Sequence, residues 1–273
     1  MPYVESRDGT RLYVTDWGSG PAVVLIHGWP LNADSWEAQH AAIAAQGFRV
    51  VAYDRRGFGR SDKPWTGYDY DTFADDLAAV IDGLGLTDVT LAGFSMGGGE
   101  VARYLGRHGR GKVARAALLG AVTPFLLETP DHPGAPKSLF EGMIAGIEAD
   151  RAKFFEEFFP NFFGVGTPGG KVSEATVRWA WSMAMQAALP ATTGCVRAFG
   201  ATDFRPDMAA FEGVPTLVVH GDADAIVPID ITAREAVKAI PGAELVVYEG
   251  APHGFLATHA ERVNADLLRF LRS

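Results

Sequence analysis

One serine on a glycine-flanked turn, one late loop histidine and an aspartate between them could together carry out nucleophilic chemistry. The stretch VTLAGFSMGGGEVARYL, Val89 to Leu105, passes from a run of β-formers into a helix-like segment through Ser95. Three consecutive glycines, Gly97 to Gly99, open that segment. Glycine costs roughly 1 kcal/mol against alanine inside a helix, so three in a row imply close backbone approach or a sharp turn. Gly93, Ser95 and Gly97 read as G-x-S-x-G, a pattern that raises a serine hydroxyl on a sharp strand-to-helix turn. Such a pentapeptide also arises by chance, and its context has to decide.

A serine hydroxyl becomes a useful nucleophile at neutral pH only when a base removes its proton, and the histidine pKa suits that task. A carboxylate must then hold the imidazole in the right tautomer and stabilise its charged form. Of seven histidines, His253 lies late, in the Pro- and Gly-flanked loop GAPHGF, Gly250 to Phe255. His27 and His220 fall directly at strand ends, where turn-supporting hydrogen bonds are the expected role. For the acid, Asp222 and Asp224 compete in HGDADAIVP, His220 to Pro228. Asp222 follows Gly221 and can accept from its own turn, whereas Asp224 lies farther out, toward a neighbouring loop, and is preferred. Asp54 is the outside candidate, with anchoring of the RRGFGRS turn its expected job.

These loops need a frame. Strand-like runs at Ala22 to His27, Phe48 to Asp54, Val89 to Phe94, Val113 to Gly120, Pro215 to His220 and Glu244 to Tyr248 are rich in apolar and β-branched residues. Amphipathic stretches at Ser35 to Gln46, Asp71 to Gly83, Met96 to Arg107, Ile231 to Ile240 and Thr258 to Leu271 alternate with them. The alternation predicts an α/β fold, with a mostly parallel central sheet and helices on both faces. Residues 124–211 break the rhythm, dense in Phe and Trp at helical spacing, and predict a helical cap inserted into a core made of 1–123 and 212–273. Ligands of open parallel sheets bind at the carboxyl ends of the strands, where HGWPLNADSW, DRRGFGRSD, HGDADAIVP and GAPHGF all fall.

With 273 residues, 48% of them apolar, the chain can bury a sizeable core. A net charge of −9 and no basic patch denser than Arg55–Arg56 argue against a nucleic-acid partner. No run approaches the ~20 apolar residues of a membrane span, and MPYVESRDGTRLYV lacks the apolar segment of a secretory signal, so a cytoplasmic protein is expected. The single cysteine, Cys195, excludes an internal disulfide and reads as a buried small side chain. No histidine pair has a metal-ligand spacing such as H-E-x-x-H, and GFGRS is only half of a dinucleotide fingerprint. Neither metal nor cofactor is expected.

Together HGWPL, DRRGFGRSD, GYDYDTFADDL, GFSMGGGEVARY, TDFRPDM, HGDADAIVP and GAPHGF make the chain resemble the α/β-hydrolase superfamily. Within it the resemblance is to the bacterial aryl esterases and cofactor-free haloperoxidases, or perhydrolases. It is weakest in the cap, between about residues 126 and 190. It implies Ser95 as nucleophile, His253 as general base and then acid, and Asp224 as its orienting carboxylate. It implies an oxyanion hole from the backbone N–H groups of Trp29 and Met96, no metal or organic cofactor, and a homo-oligomer of trimer or dimer-of-trimers type. The implied activity is hydrolysis of small aryl or short-chain acyl esters, with water or hydrogen peroxide as acyl acceptor. Lactam hydrolases of the same branch look similar, so the acyl substrate stays open, and a non-catalytic receptor on the same fold is the alternative from another class.

FFEEFFPNFF, Phe154 to Phe163, is expected to contribute to an apolar acyl or alcohol pocket together with Val122, Phe125 and Ile226, with Phe162 the preferred pocket residue, while most of its phenylalanines read as core. Pro30, after Trp29, constrains the joining peptide and would make the Trp29 carbonyl a positioned acceptor. Relatives resembling perhydrolases tend to carry proline here and plain esterases leucine, which places Pro30 among the substrate-handling residues.

Overall fold

In the computed structural model, which describes residues 2–273, an eight-stranded sheet runs in the order β1-β2-β4-β3-β5-β6-β7-β8. Strands β3 (Ala22–Ile26), β4 (Arg49–Tyr53), β5 (Val89–Phe94), β6 (Val113–Leu119), β7 (Thr216–Gly221) and β8 (Glu244–Tyr248) pair in parallel. Every residue of β3 and β5 is buried, as expected for strands covered on both faces. Two strands were not foreseen from the sequence: β1 (Tyr3–Glu5) and β2 (Arg11–Gly18) add an antiparallel edge. Their half-exposed, polar pattern carries little periodic signal, and pairing with Tyr53 to Arg49 of β4 is what makes β2 a strand.

The helices are α1 (Glu37–Ala44), α2 (Tyr70–Gly83), α3 (Met96–His108), α4 (Lys137–Phe162), α5 (Glu174–Met185), α6 (Leu189–Ala201), α7 (Ala233–Ala239), α8 (Phe255–Thr258) and α9 (Ala260–Leu271). From β3 the chain first moves toward β4 and later from β5 toward β6, in opposite directions across the sheet. Right-handed crossovers therefore place α1 on one face and α3 on the other. Helix α9 packs on α1, and α2 packs on α3. The β3/β5 pair sits where the order reverses, which opens a crevice at the carboxyl ends of these strands.

Between β6 and β7 lie α4, α5 and α6 and no strand. Helix α4 is two helices meeting at Asp150 (φ −156°, ψ 92°), whose side chain accepts from the Lys153 N–H and so caps the second half. Trp29–Pro30 and Thr123–Pro124 are cis peptides. Among the described residues no helix is long and apolar enough to cross a membrane, and no group of acidic, His and Cys side chains could hold a metal. Cys195 is buried, and burial pushes its thiol up to about 12, so it is not a nucleophile.

Candidate active site

Ser95 stands between β5 and α3 with φ 54° and ψ −119°, a region that costs a non-glycine residue about 1–3 kcal/mol. The surroundings explain the glycines that impose it. A Cβ on Gly93 would lie 2.3 Å from the Gly97 carbonyl oxygen, one on Gly97 2.4 Å from that of Ile26, and one on Gly98 2.3 Å from the Ala121 methyl. Strand and helix thus touch through their backbones, and the reversal between them is sharp. Ser95 makes no side-chain cap to its own helix, so its hydroxyl is left for other partners.

That partner is His253. Its Nε2 lies 2.9 Å from Ser95 Oγ, and its Nδ1 lies 2.6 Å from Asp224 Oδ2. A carboxylate can only accept, so Nδ1 carries the hydrogen and Nε2 is free to take one from the serine. The other oxygen, Asp224 Oδ1, accepts from the N–H groups of Ile226 (2.9 Å) and Val227 (2.8 Å). Burial pushes the Asp224 carboxyl up, but His253 and His220 beside it outweigh this and hold it well below the usual carboxylate range. Asp222 is not near the serine; it accepts from the Gly250 N–H at 2.6 Å and ties its loop to the one carrying His253. The bond goes to the neighbouring loop and not to its own turn, because β7 and β8 are adjacent and their following loops meet.

The segment after β3 carries Trp29, whose N–H, like that of Met96, makes no hydrogen bond within the described residues. The Met96 N–H belongs to the first turn of α3, where the helix dipole favours negative charge. A buried network holds the segment. His27 donates from Nδ1 to the Gly28 carbonyl (2.9 Å) and accepts at Nε2 from the Arg55 N–H (2.9 Å). Burial and the adjacent Arg55 keep this imidazole neutral, well below the histidine range. The Arg55 guanidinium reaches the His27 carbonyl (2.9 Å) and pairs with Glu100 Oε2 (2.7 Å), both side chains being fully buried. Glu100, one turn after Ser95 on α3, also accepts from the Tyr53 hydroxyl. Asp54 anchors its turn as expected, accepting from the Arg60 N–H and guanidinium and from the Ala33 N–H.

Ser95 and His253 open onto a cavity of about 120 Å3, walled mostly by apolar side chains. Val122 and Ile226 line it as the sequence suggested; Phe125, Phe162 and Pro30 do not. Phe162 instead stands edge-on to the His253 ring (5.0 Å, 87°), next to Phe94, which packs on the same imidazole (5.0 Å, 33°), and its carbonyl accepts from the Gly254 N–H at 2.7 Å. It packs against the histidine instead of lining the cavity. Phe125 is turned toward His132 and the Arg205 guanidinium. The phenylalanine-rich stretch does contribute to the cavity, through Phe158 and not Phe162, and the walls that the sequence did not point out come from Leu139, Phe140 and Met143 of α4, Phe199 of α6 and Ile231. The i, i+1, i+4 spacing of 139, 140 and 143 marks a helix face, but not what it faces. Trp29 spans both parts: it lines the cavity with Ser95, while its indole donates to the Thr192 carbonyl (3.0 Å) and packs on Phe155, Phe158 and Phe199.

The family described as alpha/beta hydrolase fold matches residues 21–260. The chain is 46% identical over 274 residues to the non-heme chloroperoxidase CPO-A1 of Kitasatospora aureofaciens, with 99% of each chain covered. It is 40% identical to the bifunctional esterase/perhydrolase DCH of Acinetobacter calcoaceticus, with both chains covered in full. Among solved structures, a bromoperoxidase from Bacillus anthracis superposes with a TM-score of 0.94 at 42% identity, over 99% of both chains. The strand order, the serine turn and these full-length matches agree: the chain belongs to the α/β-hydrolase fold family, alongside the non-heme haloperoxidases and esterase/perhydrolases it is similar to.

Proposed function

We propose that this protein is a serine hydrolase of small carboxylic esters, aryl or short-chain acyl, that also passes its acyl group to hydrogen peroxide. The observation that carries the reading is the continuous chain from Ser95 Oγ to His253 to Asp224, 2.9 and 2.6 Å, at the wall of an apolar cavity. His253 takes the serine proton as Oγ attacks the ester carbonyl, and Asp224 steadies the imidazolium that forms. The carbonyl oxygen gains negative charge between the two free N–H groups of Met96 and Trp29, each worth about 3 kcal/mol in the transition state. His253 returns the proton to the leaving alcohol, and an acyl-enzyme remains. Water then yields the carboxylic acid; hydrogen peroxide yields the peracid and restores Ser95. Support for the second acceptor comes from the similarity to haloperoxidases and to an esterase/perhydrolase, since a released peracid can oxidise halide in solution.

Purified protein should turn over an aryl acetate steadily, take up a fluorophosphonate on Ser95, and form peracid when hydrogen peroxide and a carboxylic acid or ester are supplied. A folded protein that is unlabelled and turns over no ester, lactone or lactam would instead support a non-catalytic receptor.

Pro30 supports the peroxide branch. The Trp29 carbonyl before it accepts no hydrogen bond within the described residues, so it can accept one from peroxide held beside the acyl-enzyme. Replacing Pro30 with leucine frees the φ angle that the pyrrolidine ring fixes. Losing one hydrogen bond of about 1 kcal/mol would lower peracid formation severalfold relative to hydrolysis. Measuring both activities in wild type and Pro30→Leu checks this, and an unchanged ratio would remove the role given to the carbonyl.

A further inference from the structure

One buried imidazole that the proposed mechanism does not use lies beside Asp224. His220, the penultimate residue of β7, has no exposure, and its Nε2 lies 2.8 Å from the Val227 carbonyl and 3.3 Å from Asp224 Oδ2. The Val227 carbonyl can only accept, so Nε2 carries the hydrogen. Nδ1 is buried with no partner, so the Nε2–H is the hydrogen bond His220 makes.

A closed ring results. Val227 donates its N–H to Asp224 Oδ1 and accepts at its carbonyl from His220, and the same His220 N–H lies against Oδ2. The carboxylate is thereby held at Oδ1 by two hydrogen bonds, and the His220 N–H, bonded to the Val227 carbonyl, stands 3.3 Å from Oδ2. Oδ2 is also the oxygen that takes the His253 Nδ1–H. The titratable groups facing Asp224 are these two imidazoles. His253 faces Ser95 and Asp224, and the aromatic rings of Phe94 and Phe162 cover its other sides.

We propose that His220 is a positioning residue that orients Asp224 Oδ2 toward His253 and tempers its charge, setting the basicity of His253. The proposal rests on the triad reading above. A turn-supporting histidine needs only the Val227 bond; the approach to Oδ2 is what gives this one a catalytic consequence. With the His220 N–H gone, Oδ2 holds more uncompensated negative charge, which favours the imidazolium form of His253. The base is then protonated at higher pH.

The test is the pH dependence of kcat/KM for an aryl acetate in wild type, His220→Phe, His220→Asn and His220→Gln, with fluorophosphonate labelling of Ser95 in each. His220→Phe keeps a ring without a donor, His220→Asn offers an amide too short to reach both acceptors, and His220→Gln restores a donor near Nε2. We expect the acid limb to move up by about half a pH unit or more in the Phe and Asn variants, with the plateau lowered about tenfold. The Gln variant should return the limb close to the wild-type position. An acid limb that stays in place or moves down in the Phe or the Asn variant overturns the proposal, because a purely structural histidine would lower the plateau without shifting it. Absence of labelling in wild-type protein would instead strike at Ser95 itself.

Discussion

Ser95→Ala should lower ester turnover by on the order of 10^4-fold or more while leaving the protein folded. His253→Ala should do nearly the same, and combining the two should add little. The hydroxyl and the imidazole work on one proton, so either loss removes the covalent route, and triad deletions are far from additive. Residual turnover would come from binding and from the N–H groups of Met96 and Trp29, which neither change touches. The fold should survive because removing Oγ from Ser95 leaves the backbone contacts of Gly93, Gly97 and Gly98 in place. Initial rates on an aryl acetate, with thermal melting of each variant, provide the check. Near-normal turnover by a well-folded Ser95→Ala would end the acyl-enzyme reading.

Glu100→Ala should destabilise the protein by about 3–5 kcal/mol. Arg55 has no exposure, and burial works against its charge; the neighbouring Glu100 carboxylate more than offsets this and holds the guanidinium cationic. Deleting Glu100 leaves that cation uncompensated and also strips the Tyr53 hydroxyl of its acceptor. At roughly 2–4 °C per kcal/mol for a chain of this size, melting should fall by about 10 °C. Replacing the pair together, Arg55→Met with Glu100→Leu, should cost markedly less than Glu100→Ala alone, because no charge stays buried. Activity in the double variant reports on a second matter. Arg55 also holds the His27 carbonyl at the entry to the Trp29 segment, so its loss should lower kcat more than it raises KM. A Glu100→Ala protein melting within two or three degrees of wild type would refute the stability argument.

How far the sequence could be read differs from element to element. β3 and β5 were legible because strands buried on both faces are continuous apolar runs, VVLI in one and VTLAGF in the other. β2 was not, because only Leu12 and Val14 of its eight residues are buried and its register depends on β4, far along the chain. Asp222 and Asp224 are the same residue type two positions apart in one loop. Their separation into a loop tie to Gly250 and a partner for His253 is a matter of where β8 lies next to β7.

The amino-acid sequence by itself determined the local chemistry. Glycines without Cβ atoms allow the backbone reversal at Ser95, a histidine falls in a Pro- and Gly-flanked loop, and acids follow a strand end; these are properties of short segments and of residue type. Only the tertiary structure decided which side chains meet. Phe162 and Phe158 sit one helical turn apart in the same phenylalanine-rich stretch, yet Phe158 lines the cavity while Phe162 packs edge-on against the His253 ring. Periodicity shows that a helix has an apolar face and cannot say what that face will meet, since this depends on how α4 docks over strands distant in sequence. The same holds for His220, whose type and strand-end position suggested a turn support, and whose closeness to Asp224 Oδ2 exists only because the loop after β7 folds back over it.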